Sequence, residues 1–184
     1  MAGDIAAPAI KPLFSAEQIA ARVDELARDL AALPLDDLVI VGVLKGSVRF
    51  AEDLVRALRG QELRPELDFL QLASYGDDTR SSGKVEIVHD VEIPLAGRDA
   101  VIADDILDSG RTLSFAKALL ESRGARTVRT CVLLDKQVKR AIEITPDFVG
   151  FLCPPVYVVG YGMDLAGRYR DLPFIGEVAT QLSE

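Results

Sequence analysis

The segment 101–112, V-I-A-D-D-I-L-D-S-G-R-T, constrains the fold more than any other part of the chain. Val101, Ile102 and Ala103 predict the end of a buried strand, and Leu113, Ala116, Leu119 and Leu120 recur at helical spacing just beyond. Between them stand two adjacent carboxylates, Asp104 and Asp105, and then Asp108, directly before Ser109, Gly110, Arg111 and Thr112. A strand, an acidic turn and a helix in so short a stretch fit an open α/β sheet, whose strand ends border the ligand crevice. The loop 108–112 would present backbone N–H groups at a helix N-terminus, where phosphate binds well. Gly110 lets the backbone approach closely, and Ser109 and Thr112 offer hydroxyl donors. Carboxylates cannot hold phosphate, so the acids must serve ribose hydroxyls, a divalent cation or a proton in transfer. A sugar phosphate carrying a metal-bound leaving group needs all of these at once. The plain alternative for Asp104 and Asp105 is an acidic turn that caps the next helix. Two carboxylates packed on a buried strand repel each other without a hydroxyl or cation partner.

The same alternation of strand and helix continues on both sides. Ser15, Glu17 and Gln18 open a helix with a capping box, and Ile19, Val23, Leu26 and Leu30 mark its inner face. Pro34 ends it. Residues 38–43 form an unbroken apolar run, as in a strand covered on both sides. A loop at 44–47 leads to a second helix with Phe50, Leu54 and Leu58 inward. Residues 67–73 predict a strand, 75–83 a mobile polar loop, and 84–89 a half-exposed strand. Residues 100–103, 127–134 and 156–161 predict three more strands, and the helix after Thr112 ends near Gly124. The order implies a mostly parallel sheet with helices on both faces.

At 184 residues the chain is most simply one domain. Its net charge of −8 argues against a nonspecific nucleic-acid surface or an anionic membrane surface. No apolar run reaches membrane-spanning length. The start of the sequence lacks the basic stretch of a secretion signal. Cys131 and Cys153 lie in apolar contexts without metal-ligand spacing and read as reduced core residues. The expected setting is therefore cytoplasmic.

Beyond the acidic signature, an ordered set of segments carries a specific resemblance: Leu44-Lys45-Gly46-Ser47, Ser74-Tyr75, Leu133-Leu134-Asp135-Lys136, 147–151 (D-F-V-G-F), Val158-Val159-Gly160-Tyr161 and 168–173 (R-Y-R-D-L-P). The acidic segment resembles the phosphoribosyl pyrophosphate signature of type I phosphoribosyltransferases. The ordered set resembles their hypoxanthine-guanine branch, from about Leu38 onward. The resemblance implies a single-domain type I phosphoribosyltransferase fold over 1–184. Its core would lie at about 15–140, with a small purine-binding hood at about 141–184 and a flexible lid. It implies purine salvage, in which the phosphoribosyl group passes to hypoxanthine or guanine with Mg²⁺ and pyrophosphate leaves. It also implies a homodimer or homotetramer.

Residue by residue, the resemblance assigns Asp104 and Asp105 to the ribose hydroxyls and the metal. Asp104 stands where the family commonly has Glu, one methylene longer. Asp108 becomes the acid/base group beside purine N7, with a helix N-cap as its plainer reading. Ser109, Gly110, Arg111 and Thr112 cradle the 5′-phosphate, the backbone and hydroxyls ahead of the Arg111 side chain. Lys45, Gly46 and Arg170 hold pyrophosphate, and the family often carries a non-proline cis peptide at the Leu44–Lys45 joint. Lys45 and Arg170 could also be ordinary surface cations. Lys136 donates to the purine 6-oxo group, favouring 6-oxopurines over adenine. Tyr157 stacks on the base or is simply core. Val158 offers backbone groups to the purine edge. Asp164 is linked to Mg²⁺, and Ser74 and Tyr75 open the lid, which could instead be an ordinary hairpin loop. His89, the single histidine, falls in no motif. Two other readings stand beside this one. One is a transferase preferring xanthine or a broader 6-oxopurine range. The other is an RNA-binding regulator of the same fold, against which the acidic charge and the purine-type segments count.

Overall fold

The computed structural model describes residues 8–74 and 85–179. A six-stranded sheet forms its centre, in the order β4-β3-β2-β5-β6-β7. These strands are β2 (Val39–Leu44), β3 (Glu66–Ser74), β4 (Val85–His89), β5 (Asp99–Leu107), β6 (Thr127–Lys136) and β7 (Phe148–Cys153). All neighbours are parallel except β3 and β4, so the expected mostly parallel sheet is present. A second, antiparallel sheet joins β1 (Ile10–Phe14) to β9 (Ile175–Val178) and β9 to β8 (Val158–Val159). Strands from the two ends of the described chain therefore build the hood over the main sheet.

Helices cover both faces of the main sheet. On one side α1 (Ala16–Ala31) and α2 (Val48–Gly60) bury Ile19, Val23, Leu26 and Leu30 against Phe50, Leu54 and Leu58. On the other, α3 (Arg111–Ser122) buries Leu113, Ala116 and Leu120 against Val41, Val43 and Ile102. Successive β2 residues alternate between these two cores, which explains the unbroken apolar run. Both halves of the capping box are made: Gln18 N–H donates to Ser15 Oγ at 3.2 Å, and Ser15 N–H to Gln18 Oε1 at 2.8 Å.

Several boundaries differ from the sequence expectation. β5 does not stop at Ala103; it runs through the acidic pair to Leu107. Asp104 and Asp105 therefore lie on a strand, not in a turn. The ladder to β6 decides this, pairing Asp104 with Val132, Ile106 with Leu134 and Leu107 with Asp135. β6 likewise extends to Lys136, which is its last residue rather than a residue beyond it. The strand expected at 156–161 contracts to Val158–Val159, because Gly160, Gly162 and Tyr161 all adopt positive φ and turn the chain. β1, β7 and β9 had no sequence expectation. β4 is largely exposed along its length rather than half-buried, as an edge strand paired on one side only. The loop expected at 75–83 lies outside the described residues.

Candidate active site

The C-terminal ends of β2, β5 and β6 open into one cavity of about 380 Å³ beneath the hood. Lys45, Gly46, Asp104, Asp105, Asp108, Thr112, Lys136, Tyr157, Val158, Asp164 and Arg170 all line it. A smaller cup of about 60 Å³ adjoins it, lined by Asp104, Asp108, Ser109, Gly110 and Thr112. The structure thus brings together every sequence-predicted residue except three. Arg111 is the first residue of α3 but lines neither cavity. Ser74 ends β3, and Tyr75 lies outside the described residues. Leu72, Ile106, Val156 and Met163 supply apolar wall that the motif reading did not include.

The phosphate-type loop is built by backbone geometry. Gly110 has φ 81° and precedes α3, a left-handed conformation that favours glycine. A Cβ there would lie 2.2 Å from the Ile142 carbonyl oxygen. Ser109 O accepts from Ala141 N and Ile142 N, both at 3.1 Å, which ties the loop to the segment after β6. Arg111 N, the first of α3, donates to Ser109 Oγ at 3.4 Å, and Thr112 and Leu113, whose N–H groups have no carbonyl one turn earlier within the helix, line the cup. Asp108 is not the helix cap, because Gly110 takes that position. Its carboxylate instead accepts from Lys136 Nζ at 2.9 Å.

The acid pair is the electrostatic centre. Asp104 is 4% exposed, and no basic side chain among the described residues pairs with it. Its Oδ1 accepts from Asp105 N at 3.1 Å. Burial, and then the neighbouring Asp105 charge, push the Asp104 carboxyl well above the usual carboxylate range. Asp105 is also raised by burial, although Arg170 opposes the shift. Gly46 meets this pair directly: a Cβ on it would lie 1.8 Å from Asp105 Oδ2, so only glycine fits beside that carboxylate. The Leu44–Lys45 peptide leading into Gly46 is cis.

The far wall carries a second charged group. Arg170 Nη2 pairs with Asp164 Oδ1 at 2.6 Å, and Gly167 N donates to Asp164 Oδ2 at 2.7 Å. Tyr157 is 53% exposed and turns its ring to the cavity, so it is not core. Its hydroxyl donates to the Asp164 carbonyl at 3.0 Å. Among the described residues, no cluster of three or more His, Cys, Asp or Glu could cage a metal ion. A cation here would draw most of its oxygens from a ligand. Cys131 and Cys153 are buried and unpaired, and burial pushes the Cys131 thiol up to about 12. No helix among the described residues is long and apolar enough to cross a membrane.

A donor loop for phosphate, buried acids and a cation wall under a hood on a parallel sheet define a sugar-phosphate transferase site. Residues 10–165 match the phosphoribosyl transferase domain, and the chain belongs to that family. The hypoxanthine-guanine phosphoribosyltransferase of Bacillus subtilis (strain 168) is 43% identical over 175 residues, covering 95% of this chain and 96% of that one. The bifunctional protein TilS/HprT of Listeria monocytogenes is 42% identical over 173 residues, and there the chain spans 26% of the relative's length. A hypoxanthine-guanine phosphoribosyltransferase crystal structure from Bacillus anthracis superposes with a TM-score of 0.85 at 38% identity, covering 92% of this chain and 99% of that one.

Proposed function

We propose that this chain is a hypoxanthine-guanine phosphoribosyltransferase of purine salvage. It transfers the 5-phosphoribosyl group of phosphoribosyl pyrophosphate to hypoxanthine or guanine and releases pyrophosphate. The observation that carries this reading is the Lys136–Asp108 pair, 2.9 Å apart, in the same cavity as the buried acid pair. A 6-oxopurine presents its oxygen and N7 side by side on one edge. That edge matches a donor-only lysine next to a carboxylate that can take or return a proton.

The rest of the site supplies what the reaction demands. The bond from ribose C1 to the pyrophosphate oxygen breaks as the purine nitrogen attacks, and positive charge grows on the ring. Asp104 and Asp105 accept hydrogen bonds from the ribose hydroxyls and favour that charge. The loop 109–112 anchors the 5′-phosphate through N–H and hydroxyl donors. Lys45, Gly46 and Arg170 receive pyrophosphate, Tyr157 stacks on the base, and Val158 meets its edge through the backbone. Asp104, Asp105 and Asp164, all lining the cavity, would offer oxygens to Mg²⁺ beside those of the substrate. When bound, the ion would neutralise charge on the departing pyrophosphate. A single domain, a cytoplasmic setting and a homodimer or homotetramer accompany this reading.

The test is a spectrophotometric screen with phosphoribosyl pyrophosphate, Mg²⁺ and five bases. Turnover is expected with hypoxanthine or guanine and not with adenine or uracil; xanthine reports how the 2-position is read. Absence of purine-dependent pyrophosphate release would sink the proposal.

A further inference from the structure

The turn after β2 leads straight into α2, and α2 reaches across to the loop 160–172 at Tyr161. That ring is buried, and Arg49 Cζ lies 5.1 Å from its centroid. The Tyr161 hydroxyl donates to Asp53 Oδ2 at 2.5 Å. The other Asp53 oxygen accepts from Arg56 Nη1 at 3.0 Å. Arg49 Nη1 also donates to Leu172 O at 3.0 Å and to Asp171 O at 3.3 Å. Arg49 and Asp53 stand one helical turn apart on the same face. One helix thus grips Tyr161 by ring and hydroxyl, and grips the returning arm of its loop by two carbonyls.

What this grip holds is the cation wall. Tyr161 N donates to Leu172 O at 2.9 Å and Gly162 N to Arg170 O at 3.0 Å. Arg170 Nη1 donates to Gly162 O at 2.5 Å, while Nη2 pairs with Asp164. Gly162, at φ 105°, rests on the other loop: a Cβ there would lie 2.2 Å from the Gly46 carbonyl oxygen. The Lys45–Gly46 turn and the Arg170 loop are therefore in backbone contact and both fastened to α2. Arg49, Asp53 and Tyr161 do not line the cavity.

We propose that Arg49 and Asp53, acting through Tyr161, are positioning residues that set the spacing between the Lys45 turn and the Arg170 loop for the diphosphate end of the substrate. The inference rests on the functional reading above and adds Arg49 and Asp53, which no motif marks, and a role for Tyr161, to which the resemblance assigns none. A clamp of this kind acts on one substrate and not the other. Diphosphate recognition spans both fastened loops, whereas the base meets Lys136 and Asp108, which pair with each other at the ends of β6 and β5, and only Tyr157 touches the clamped loop, through its hydroxyl on the Asp164 carbonyl.

The experiment uses the full chain with Mg²⁺, phosphoribosyl pyrophosphate and hypoxanthine. Tyr161→Phe keeps the ring under Arg49 and removes only the hydroxyl, so the fold is kept. Its KM for phosphoribosyl pyrophosphate is expected to rise about fivefold or more, with the KM for hypoxanthine held within about twofold. Calorimetric titration with inorganic pyrophosphate and Mg²⁺ should show the same weakening. Asp53→Ala should reproduce the effect, and Asp53→Asn, which keeps an acceptor oxygen, should largely rescue it. A variant set that lowers Tm while leaving both KM values unchanged, or raising both in proportion, would overturn the clamp. A wild-type protein that neither turns over nor binds pyrophosphate would overturn the functional reading and the clamp together. An active wild type with no such split overturns the clamp alone.

Discussion

β5 carries buried aspartates at both ends, and the two ends have opposite chemistry. At its start, Asp99 is fully enclosed by partners. It accepts from Arg126 Nε at 3.0 Å, Thr127 Oγ1 at 2.8 Å and Asp36 N at 2.8 Å. The Arg126 guanidinium in particular holds its carboxyl down to about 2. At the far end, Asp104 and Asp105 have each other and a distant Arg170, and burial pushes both carboxyls up. The residue type and the strand are alike, and Asp99 and Asp104 are almost equally inaccessible, at 1% and 4% exposed; the partners differ. The first end is satisfied within the fold, and the second is completed by something that arrives. On this strand, therefore, burial alone does not separate a structural acid from a functional one, and the partners at each end do.

The comparison breaks if the satisfied end governs turnover or the unsatisfied end governs stability. The largest effect is expected from Asp108→Asn, just past the far end of β5 where the carboxylate meets Lys136: turnover should fall by about 10²- to 10⁴-fold while phosphoribosyl pyrophosphate affinity stays nearly constant. Steady-state kinetics with a direct binding measurement check this, and near-normal turnover would remove Asp108 from its role. Next comes the double variant Asp104→Asn/Asp105→Asn, which should lose about 10²- to 10³-fold in turnover without a fall in Tm.

The same pair has a distinct pH signature. A carboxyl raised on folding weakens the native state above its folded value, and this cost disappears as pH falls through that value toward 3.8. Wild-type stability should therefore gain on mild acidification, and the double variant should lack that gain in denaturant titrations. Asp99 has the reverse sign. Its contribution is present above 3.8 and is lost as pH falls toward about 2. The smallest effect is expected from Asp99→Ala, which should cost about 1–2 kcal/mol, a discounted figure because Arg126 is 44% exposed. Its kcat should remain that of the wild type once the folded fraction is matched.

The sequence reveals the elements that local chemistry specifies. The capping box, the two-sided apolar run of β2 and the Gly110 loop each depend on residues within one turn or one strand. The strand ends are less legible, because charges at Asp104 and Asp105 interrupt the apolar signal while the ladder to β6 continues regardless. β1 and β9 leave little local signal because each is short and they pair with each other from opposite ends of the described chain. The site followed the same rule. Motif residues converge as expected, yet the Arg49–Tyr161–Asp53 contacts leave no local trace, since Arg49 and Asp53 read as the solvated flank of an amphipathic helix. The Gly46–Asp105 approach was also hidden, because two loops have to meet before the missing Cβ acquires a meaning.

The hood sheet has a consequence for biosynthesis. Ile10 pairs with Val178, so the earliest described strand waits for the latest one. During translation the central sheet can dock its helices while β1 still lacks its mate. The hood sheet that carries Val158 is completed only once Val178 has emerged from the ribosome, because β9 is the partner of both β1 and β8. A product released before β9 would leave β1 and β8 each without the strand it pairs with.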